Sequence, residues 1–165
     1  RAWAWPGGAN VSPAPDDVNE PPENESTDSR MSDFRRVTDD LSVAPQIAVA
    51  DVAEAARLGF KTLISNRPDG EDPGQPTARE IASAAAEAGL PFYHIPVRGA
   101  PTPEQVEATR VVLQEADTPV LAFCRSGTRS IVTWSICQAT SGALDRSELI
   151  NLGRQAGYDL SGVLG

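Results

Sequence analysis

One run of eight residues combines a thiol, two guanidinium groups and a glycine. Residues 123–130 read FCRSGTRS; they follow an apolar run, residues 119–122, and precede apolar residues with helical spacing. A turn between a strand and a helix directs backbone N–H groups and the positive end of the helix toward one point. Because Cys124 begins that turn, the pattern predicts a nucleophile inside a cradle for an anion.

Each side chain of this turn has a candidate role in such chemistry. The two arginines and the helix N terminus favour the thiolate of Cys124 over the thiol, although a free Cys is also commonly buried and inert. Arg129 is predicted to hold two oxygens of the transferred group with its planar fork, the alternative being a surface ion pair. Ser130 could cap the helix and stabilise the departing thiolate. The predicted anion-binding loop comprises Arg125, for which a solvated loop charge is an equal alternative, and Ser126, Gly127 and Thr128.

The elements that must position this loop alternate between strands and helices. Apolar patterning predicts a hairpin over residues 34–47, strands over residues 60–65, 91–97 and 120–123, and helices over residues 49–58 and 130–140. Capping boxes at Thr77, Thr102 and Asp145 predict the starts of three further helices. Connections of this length favour parallel strands joined by right-handed crossovers. The predicted fold is therefore a three-layer α/β domain, a mostly parallel sheet flanked by helices.

The loop after the predicted strand over residues 60–65 is rich in turn-forming residues. Residues 66–76 contain three Pro and two Gly, and open α/β sheets place functional loops after the carboxyl ends of strands. Within this loop Asp69 is the best candidate for a general acid, although a turn role in Pro-Asp-Gly is favoured. His94, the only His, is more typical of a packed, hydrogen-bonded strand residue than of a base.

Composition limits the classes of partner and cofactor. The chain has 165 residues, a formal net charge of -9 and a single Lys, and no basic stripe that would hold a nucleic-acid backbone. No apolar run approaches the ~18 residues that a membrane-spanning helix needs. Cys124 and Cys137 fit neither a disulfide framework nor a zinc site, and Cys137 is predicted to be a small buried side chain. We expect a protein of the reducing cytoplasm, with no metal or cofactor, no nucleic acid and no membrane partner.

The first thirty residues differ in composition from the rest. Residues 1–30 hold five Pro and six acids and almost no periodic apolar residues, which is typical of disorder. Met31, the only Met, could be the functional start. The predicted organisation is a disordered acidic, Pro-rich extension over residues 1–30 and a catalytic domain over residues 31–165.

A wider pattern of short motifs accompanies the Cys124 loop. It comprises VTDDLSV and PQI within residues 37–47, NRPDGE and PGQP within residues 66–76, and YHIPV over residues 93–97. The Cys124 loop resembles the active-site loop of single-domain rhodaneses. The wider pattern resembles the beta-lactamase-hydrolase-like protein, phosphatase-like domain family, over roughly residues 33–160. The resemblance implies a protein tyrosine phosphatase-like fold, as in dual-specificity phosphatases, a covalent cysteinyl intermediate, and either phosphatase or sulfurtransferase activity.

Three departures from the phosphatase pattern favour sulfur transfer. Four residues separate Cys124 from Arg129, whereas phosphatases of that superfamily place one residue more there, so a phosphate would fit less well. Phe123 stands where those enzymes usually have His, and residues 97–101 lack the acid expected in that loop. A positioned general acid contributes ~10²- to 10⁴-fold in rate, and sulfite or a thiolate leaves without one. The leading prediction is a sulfurtransferase that forms a Cys124 persulfide from thiosulfate or a low-molecular-weight persulfide.

Two alternatives stay open. The first is a dual-specificity or tyrosine-phosphatase-like phosphomonoesterase, a hydrolase that acts through a phosphocysteine, with Asp69 as its substitute acid. The second is a non-catalytic module that binds an anion or a partner protein. The expected partner is a small anionic substrate, either a sulfane sulfur donor or a phosphate ester, and a sulfur-metabolism enzyme could be a protein partner.

Overall fold

The computed structural model describes residues 33–164, and residues 34–164 form one compact unit. The predicted disordered extension, residues 1–30, lies outside the described residues. The elements are β1 (Arg35–Thr38), β2 (Leu41–Ala44), α1 (Val49–Arg57), β3 (Thr62–Ser65), α2 (Ala78–Ala88), β4 (Phe92–His94), α3 (Pro103–Glu115), β5 (Val120–Phe123), α4 (Thr128–Ser141) and α5 (Arg146–Gln155).

Strand β5 lies at the centre of a five-stranded sheet with the order β1-β2-β5-β3-β4. Strands β1 and β2 pair antiparallel, which confirms the predicted hairpin, and every other pairing is parallel. Phe123, the last residue of β5, stands opposite Ala44 of β2 and Ser65 of β3. The carboxyl ends of three parallel strands are therefore level, and the loops that follow them meet at one edge of the sheet.

The side chains of the central strands alternate between two cores. Val120 and Ala122 of β5 pack in a cluster with residues of α4 and α5, against which α3 also packs. Leu121 and Phe123 pack in a second cluster with residues of α1 and α2. Because successive strand residues point to opposite faces, a strand buried on both faces is apolar throughout. The three-layer α/β prediction is confirmed.

Three capping boxes begin helices where the sequence predicts them. The side chains of Thr77, Thr102 and Asp145 each accept a hydrogen bond from the backbone N–H three residues on, at 3.1, 3.2 and 2.8 Å. Strand β4 is shorter than the predicted strand over residues 91–97, since its regular pairing with β3 ends at His94. The N–H groups of Ile95 and Val97 bond to the carbonyls of Ser65 and Asn66, so donors two residues apart meet acceptors one residue apart, and the regular register is lost. None of the helices within residues 33–164 is long and apolar enough to cross a membrane.

Candidate active site

Cys124 directly follows the central strand and is held by both neighbouring strands. The N–H of Cys124 donates to the Ala44 carbonyl at 3.3 Å, and the N–H of Asn66 donates to the Phe123 carbonyl at 2.8 Å. The next residue, Arg125, accepts at its carbonyl from the N–H of Gln46, at 3.2 Å. The thiol is fully buried. Backbone pairing therefore continues past β5 and fixes where the loop begins.

Gly127 turns the chain back toward the sulfur and precedes α4. Its N–H donates to Cys124 Sγ at 3.1 Å, and its φ of +90° lies in the left-handed region that favours glycine. Helix α4 starts at Thr128 with Gly127 as its N-cap, so the predicted cap, Ser130, is wrong as a cap. The reason is that the helix begins at Thr128, two residues before the start of the helix predicted over residues 130–140. A backbone donor and a helix N terminus thus both face the thiol, as an anion cradle requires.

Ser130 lies in the first turn of α4 rather than before it. It is buried, and its Oγ has no hydrogen-bond partner among the described residues. A buried hydroxyl without a partner loses its interactions with water and gains nothing in return. Its O–H is therefore an unused donor in the first turn of the helix that follows the Cys124 loop. The neighbouring Ser126 and Thr128 hydroxyls pair with each other at 2.9 Å instead.

Arg129 is held by a carboxylate from the loop after β3. Its Nη1 and Nη2 donate to the two carboxylate oxygens of Glu71 at 2.8 Å each, and Nη1 also donates to the Val97 carbonyl at 2.7 Å. The hydrogen bonds to Glu71 raise the pKa of Arg129, and the nearby Cys124 sulfur raises it further. Nε–H and the second proton of Nη2 make none of these bonds. This edge of the guanidinium is the one that could hold a transferred anion.

Arg67 completes a network that sequence analysis missed. Its side chain is only 4% exposed, and its three nitrogens donate to Glu71, Gln46 and Asp72 at 3.0, 2.9 and 2.7 Å. Glu71 therefore lies between two arginines, and its pKa is lowered to about 2, chiefly by Arg129 and then by Arg67. An Arg two residues after a buried strand, with a Glu four residues on, is the one signal that could have indicated this pair.

The remaining predicted residues lie at the margin of the site. The Arg125 side chain is 68% exposed, with its Nε 3.9 Å from Asp72. Asp69 accepts a hydrogen bond at Oδ1 from the N–H of Ala78, where α2 begins, at 2.8 Å. No hydrogen bond or ion pair joins Asp69 to the Cys124 loop in the described part of the chain. His94 bonds through Nε2 to the Arg67 carbonyl at 2.8 Å, as a packed strand residue would.

Cys137 is chemically distinct from Cys124. It lies buried on α4 and donates to the Val106 carbonyl at 3.3 Å. Burial raises the pKa of its thiol to about 11. This confirms the predicted role of Cys137 as a small buried side chain, because thiol reactivity requires the thiolate. Within residues 33–164 no group of three or more His, Cys, Asp or Glu is arranged to hold a metal ion.

Comparison with known proteins gives one family match and several relatives. The family described as beta-lactamase hydrolase-like protein, phosphatase-like domain, matches residues 33–141. Beta-lactamase hydrolase-like proteins of Agrobacterium fabrum and Xylella fastidiosa are 37% and 31% identical, over 76% and 75% of this chain. The matched segment spans only 29% of the length of each of these curated relatives.

Solved structures with the same fold are phosphatases by description. A candidate phosphatase from Neisseria meningitidis is 35% identical, with a TM-score of 0.70 over 79% of this chain and 92% of its own. Tk-PTP, at 21% identity, and the core domain of the S. cerevisiae phosphatase SIW14, at 16%, have TM-scores of 0.60 and 0.56. They cover 77% and 76% of this chain, and 86% and 76% of their own. The protein tyrosine phosphatase-like fold is confirmed. These descriptions favour the phosphatase alternative, and none of them supports the sulfurtransferase prediction.

Proposed function

The chain belongs to the beta-lactamase hydrolase-like protein, phosphatase-like domain family, and from this premise we propose that it is a cysteine-dependent group-transfer enzyme. The Cys124 thiolate attacks a small anionic donor. Backbone N–H groups of residues 125–129, with the edge of Arg129 that does not bind Glu71, hold the transferred group on the sulfur. The donor is one whose leaving group departs without taking up a proton.

The carboxylates near the site already accept other hydrogen bonds, which supports a donor whose leaving group needs no proton. Glu71 is ion-paired with two arginines and is a carboxylate at neutral pH, because its pKa is about 2. Asp72 accepts from Arg67, and Asp69 accepts from the backbone of α2. Residues 97–101 carry no acid. Without a positioned acid, transfer from a donor with an alkoxide leaving group is ~10²- to 10⁴-fold slower. Transfer from a donor whose leaving group is a stable anion is slowed little.

A phosphate ester with an acidic leaving group is the first candidate donor. The relative from Neisseria meningitidis, described as a candidate phosphatase, supports this choice. Sγ attacks phosphorus, the P–O bond to the leaving group breaks, and an aryloxide departs with the electron pair. Water then attacks the phosphocysteine, which releases inorganic phosphate and returns the thiol.

A sulfane sulfur donor is the second candidate, favoured by the size of the loop. Only four residues separate Cys124 from Arg129, so the cradle offers fewer N–H groups than a phosphatase loop of the superfamily. Sγ attacks the terminal sulfur of thiosulfate, the S–S bond breaks, and sulfite departs with the electron pair. The Cys124 persulfide then passes its terminal sulfur to a thiol or to cyanide. A sulfur-metabolism enzyme as protein partner and a cytoplasmic location stay predictions.

Intact-protein mass spectrometry tests the proposal and separates the two donors. The protein is incubated in turn with an aryl phosphate, thiosulfate and glutathione persulfide, with Cys124→Ser as the control. Phosphoryl transfer adds one phosphoryl group to Cys124, and sulfur transfer adds one sulfur atom. Protein that stays unmodified and releases no product with every donor would contradict both candidates and favour the non-catalytic module.

A further inference from the structure

Tyr158 contacts the Cys124 loop from the C-terminal segment. It follows α5, outside residues 33–141, which the family match covers. Its Oη donates a hydrogen bond to the Ser126 carbonyl at 2.9 Å. The contact joins residues 32 positions apart, and it places a side-chain donor on the outer side of the loop.

The Ser126 carbonyl shares a peptide group with the N–H that bonds the nucleophile. That peptide is trans, since the only cis bond of the described residues is Thr118–Pro119. In a planar trans peptide the C=O and N–H bonds point in opposite directions. Tyr158 Oη holds the oxygen at one end, and the Gly127 N–H at the other end donates to Cys124 Sγ at 3.1 Å. One rigid plane therefore connects the tyrosine hydroxyl to the sulfur.

Close packing leaves this plane little freedom. A Cβ added at Gly127 would lie 2.1 Å from Tyr158 Oη and 3.0 Å from Cζ, so the hydroxyl fills the space beside the glycine. The tyrosine is itself held in place. The Arg35 guanidinium lies 5.2 Å from the Tyr158 ring centroid, and the backbone N–H of Tyr158 donates to the Gly153 carbonyl at 2.8 Å. The ring is thus fixed by contacts that do not involve its hydroxyl.

We propose that Tyr158 is a positioning residue for Cys124. Its hydroxyl fixes the Ser126–Gly127 peptide so that the N–H of Gly127 points at the sulfur and stabilises the thiolate. The consequence for turnover rests on the proposed function, whereas the consequence for thiol reactivity does not. Removing the hydroxyl leaves the ring and its contact with Arg35 in place and frees the peptide to rotate.

The test compares Tyr158→Phe with Tyr93→Phe, a matched loss of one hydroxyl from an exposed tyrosine on β4. Iodoacetamide alkylation of Cys124 is followed against pH by peptide mass spectrometry, which separates Cys124 from Cys137. We expect the curve of Tyr158→Phe to shift to higher pH, with alkylation at neutral pH slowed roughly two- to tenfold, the value of one hydrogen bond. The turnover number should fall while KM changes little, and Tyr93→Phe should match the parent protein.

The outcomes test the positioning role of Tyr158 separately from the proposed group-transfer function. A Tyr158→Phe curve that coincides with that of the parent protein would overturn the positioning role, even if the parent protein transfers groups. An equal shift in both variants would also overturn it, because the effect would then not depend on the loop contact. If no donor modifies the parent protein but only Tyr158→Phe shifts the curve, the proposed function fails and the positioning role stands.

Discussion

Glu71 binds Arg129 through both carboxylate oxygens, at 2.8 Å each, across 58 positions of the chain. The pair joins the loop after β3 to the first turn of α4. It leaves the other edge of the guanidinium without a carboxylate partner, near Cys124. The geometry of the anion cradle therefore depends on a loop that is remote in sequence from the nucleophile.

Replacing Glu71 with Gln should lower both stability and activity. The side-chain amide of Gln has one oxygen that accepts hydrogen bonds, whereas the Glu71 carboxylate uses two. Arg67 and Arg129 would therefore lose charge-assisted hydrogen bonds while their side chains stay largely buried. We expect a loss of about 2 kcal/mol in the free energy of unfolding, measured with urea, and about a tenfold lower kcat/KM. The control is Glu107→Gln, which breaks an exposed pair with Arg110 on α3 and should change neither quantity measurably. Equal effects in the two variants would contradict the role of Glu71.

Acid should destabilise the fold through the same carboxylate. The pKa of Glu71 is lowered from 4.5 to about 2 in the folded chain, so the unfolded chain binds more protons between these values. The stabilisation is fully present above pH 4.5 and is lost as the pH falls toward about 2. Urea unfolding over this interval should show a weaker pH dependence in Glu71→Gln than in the parent protein. Identical slopes would show that Glu71 does not contribute.

The two loop arginines should differ in their importance. Arg129→Lys removes the planar fork and should lower kcat by about 10²-fold, because a lysine cannot bind Glu71 and an anion in the same geometry. Arg125→Lys should change kcat only a few-fold, since the Arg125 side chain is 68% exposed. Steady-state kinetics with the donor that modifies Cys124 decides the matter. Comparable losses in both variants would assign Arg125 a direct contact with substrate.

Ser130→Ala should separate catalysis from stability. Because the Ser130 Oγ has no partner among the described residues, its removal should leave the unfolding midpoint unchanged while kcat falls about tenfold. The matched control is Ser135→Ala, on the same helix, where the lost hydroxyl bonds the Val132 carbonyl at 2.8 Å. That variant should lose stability and keep its kcat. Full activity in Ser130→Ala would remove Ser130 from the catalytic residues.

Asp69→Asn should keep the rate of group transfer. An asparagine oxygen can still accept the Ala78 N–H, so α2 keeps its first hydrogen bond. The rate should instead fall steeply as the leaving group of an aryl phosphate becomes more basic, because no acid protonates it. A loss of tenfold or more in Asp69→Asn, with a weak dependence on the leaving group, would identify Asp69 as the general acid.

Local signals in the sequence were sufficient for the loop and its scaffold. The capping residues Thr77, Thr102 and Asp145 begin helices because they satisfy backbone N–H groups nearby, and the apolar run before Cys124 is buried on both faces of the sheet. Arg67 and Glu71 could not be assigned in this way. Their roles arise when the sheet order brings β3 beside β5, and that order is set by long-range packing.

The same limit applies to Tyr158. Nothing in residues 157–164 has a periodic pattern, and the hydroxyl becomes part of the site only because the segment after α5 folds back to Ser126. The predicted strand over residues 91–97 is too long, because the regular register with β3 is lost after His94. The catalytic roles of Cys124, Arg129 and Ser130 stay predictions until the variants are measured.

The alternation of side chains along β5 restricts how the length of this strand can change. Val120 and Ala122 enter one core, Leu121 and Phe123 enter the other, and Cys124 follows directly after the strand. Inserting or deleting one residue in this strand would exchange the two sets and move Cys124 out of register with Ala44. The loop of residues 66–76 has no such restriction. The loop can therefore change length outside residues 67–72, which bind Arg129 and one another, whereas the strand that carries Cys124 can change only by whole pairs of residues.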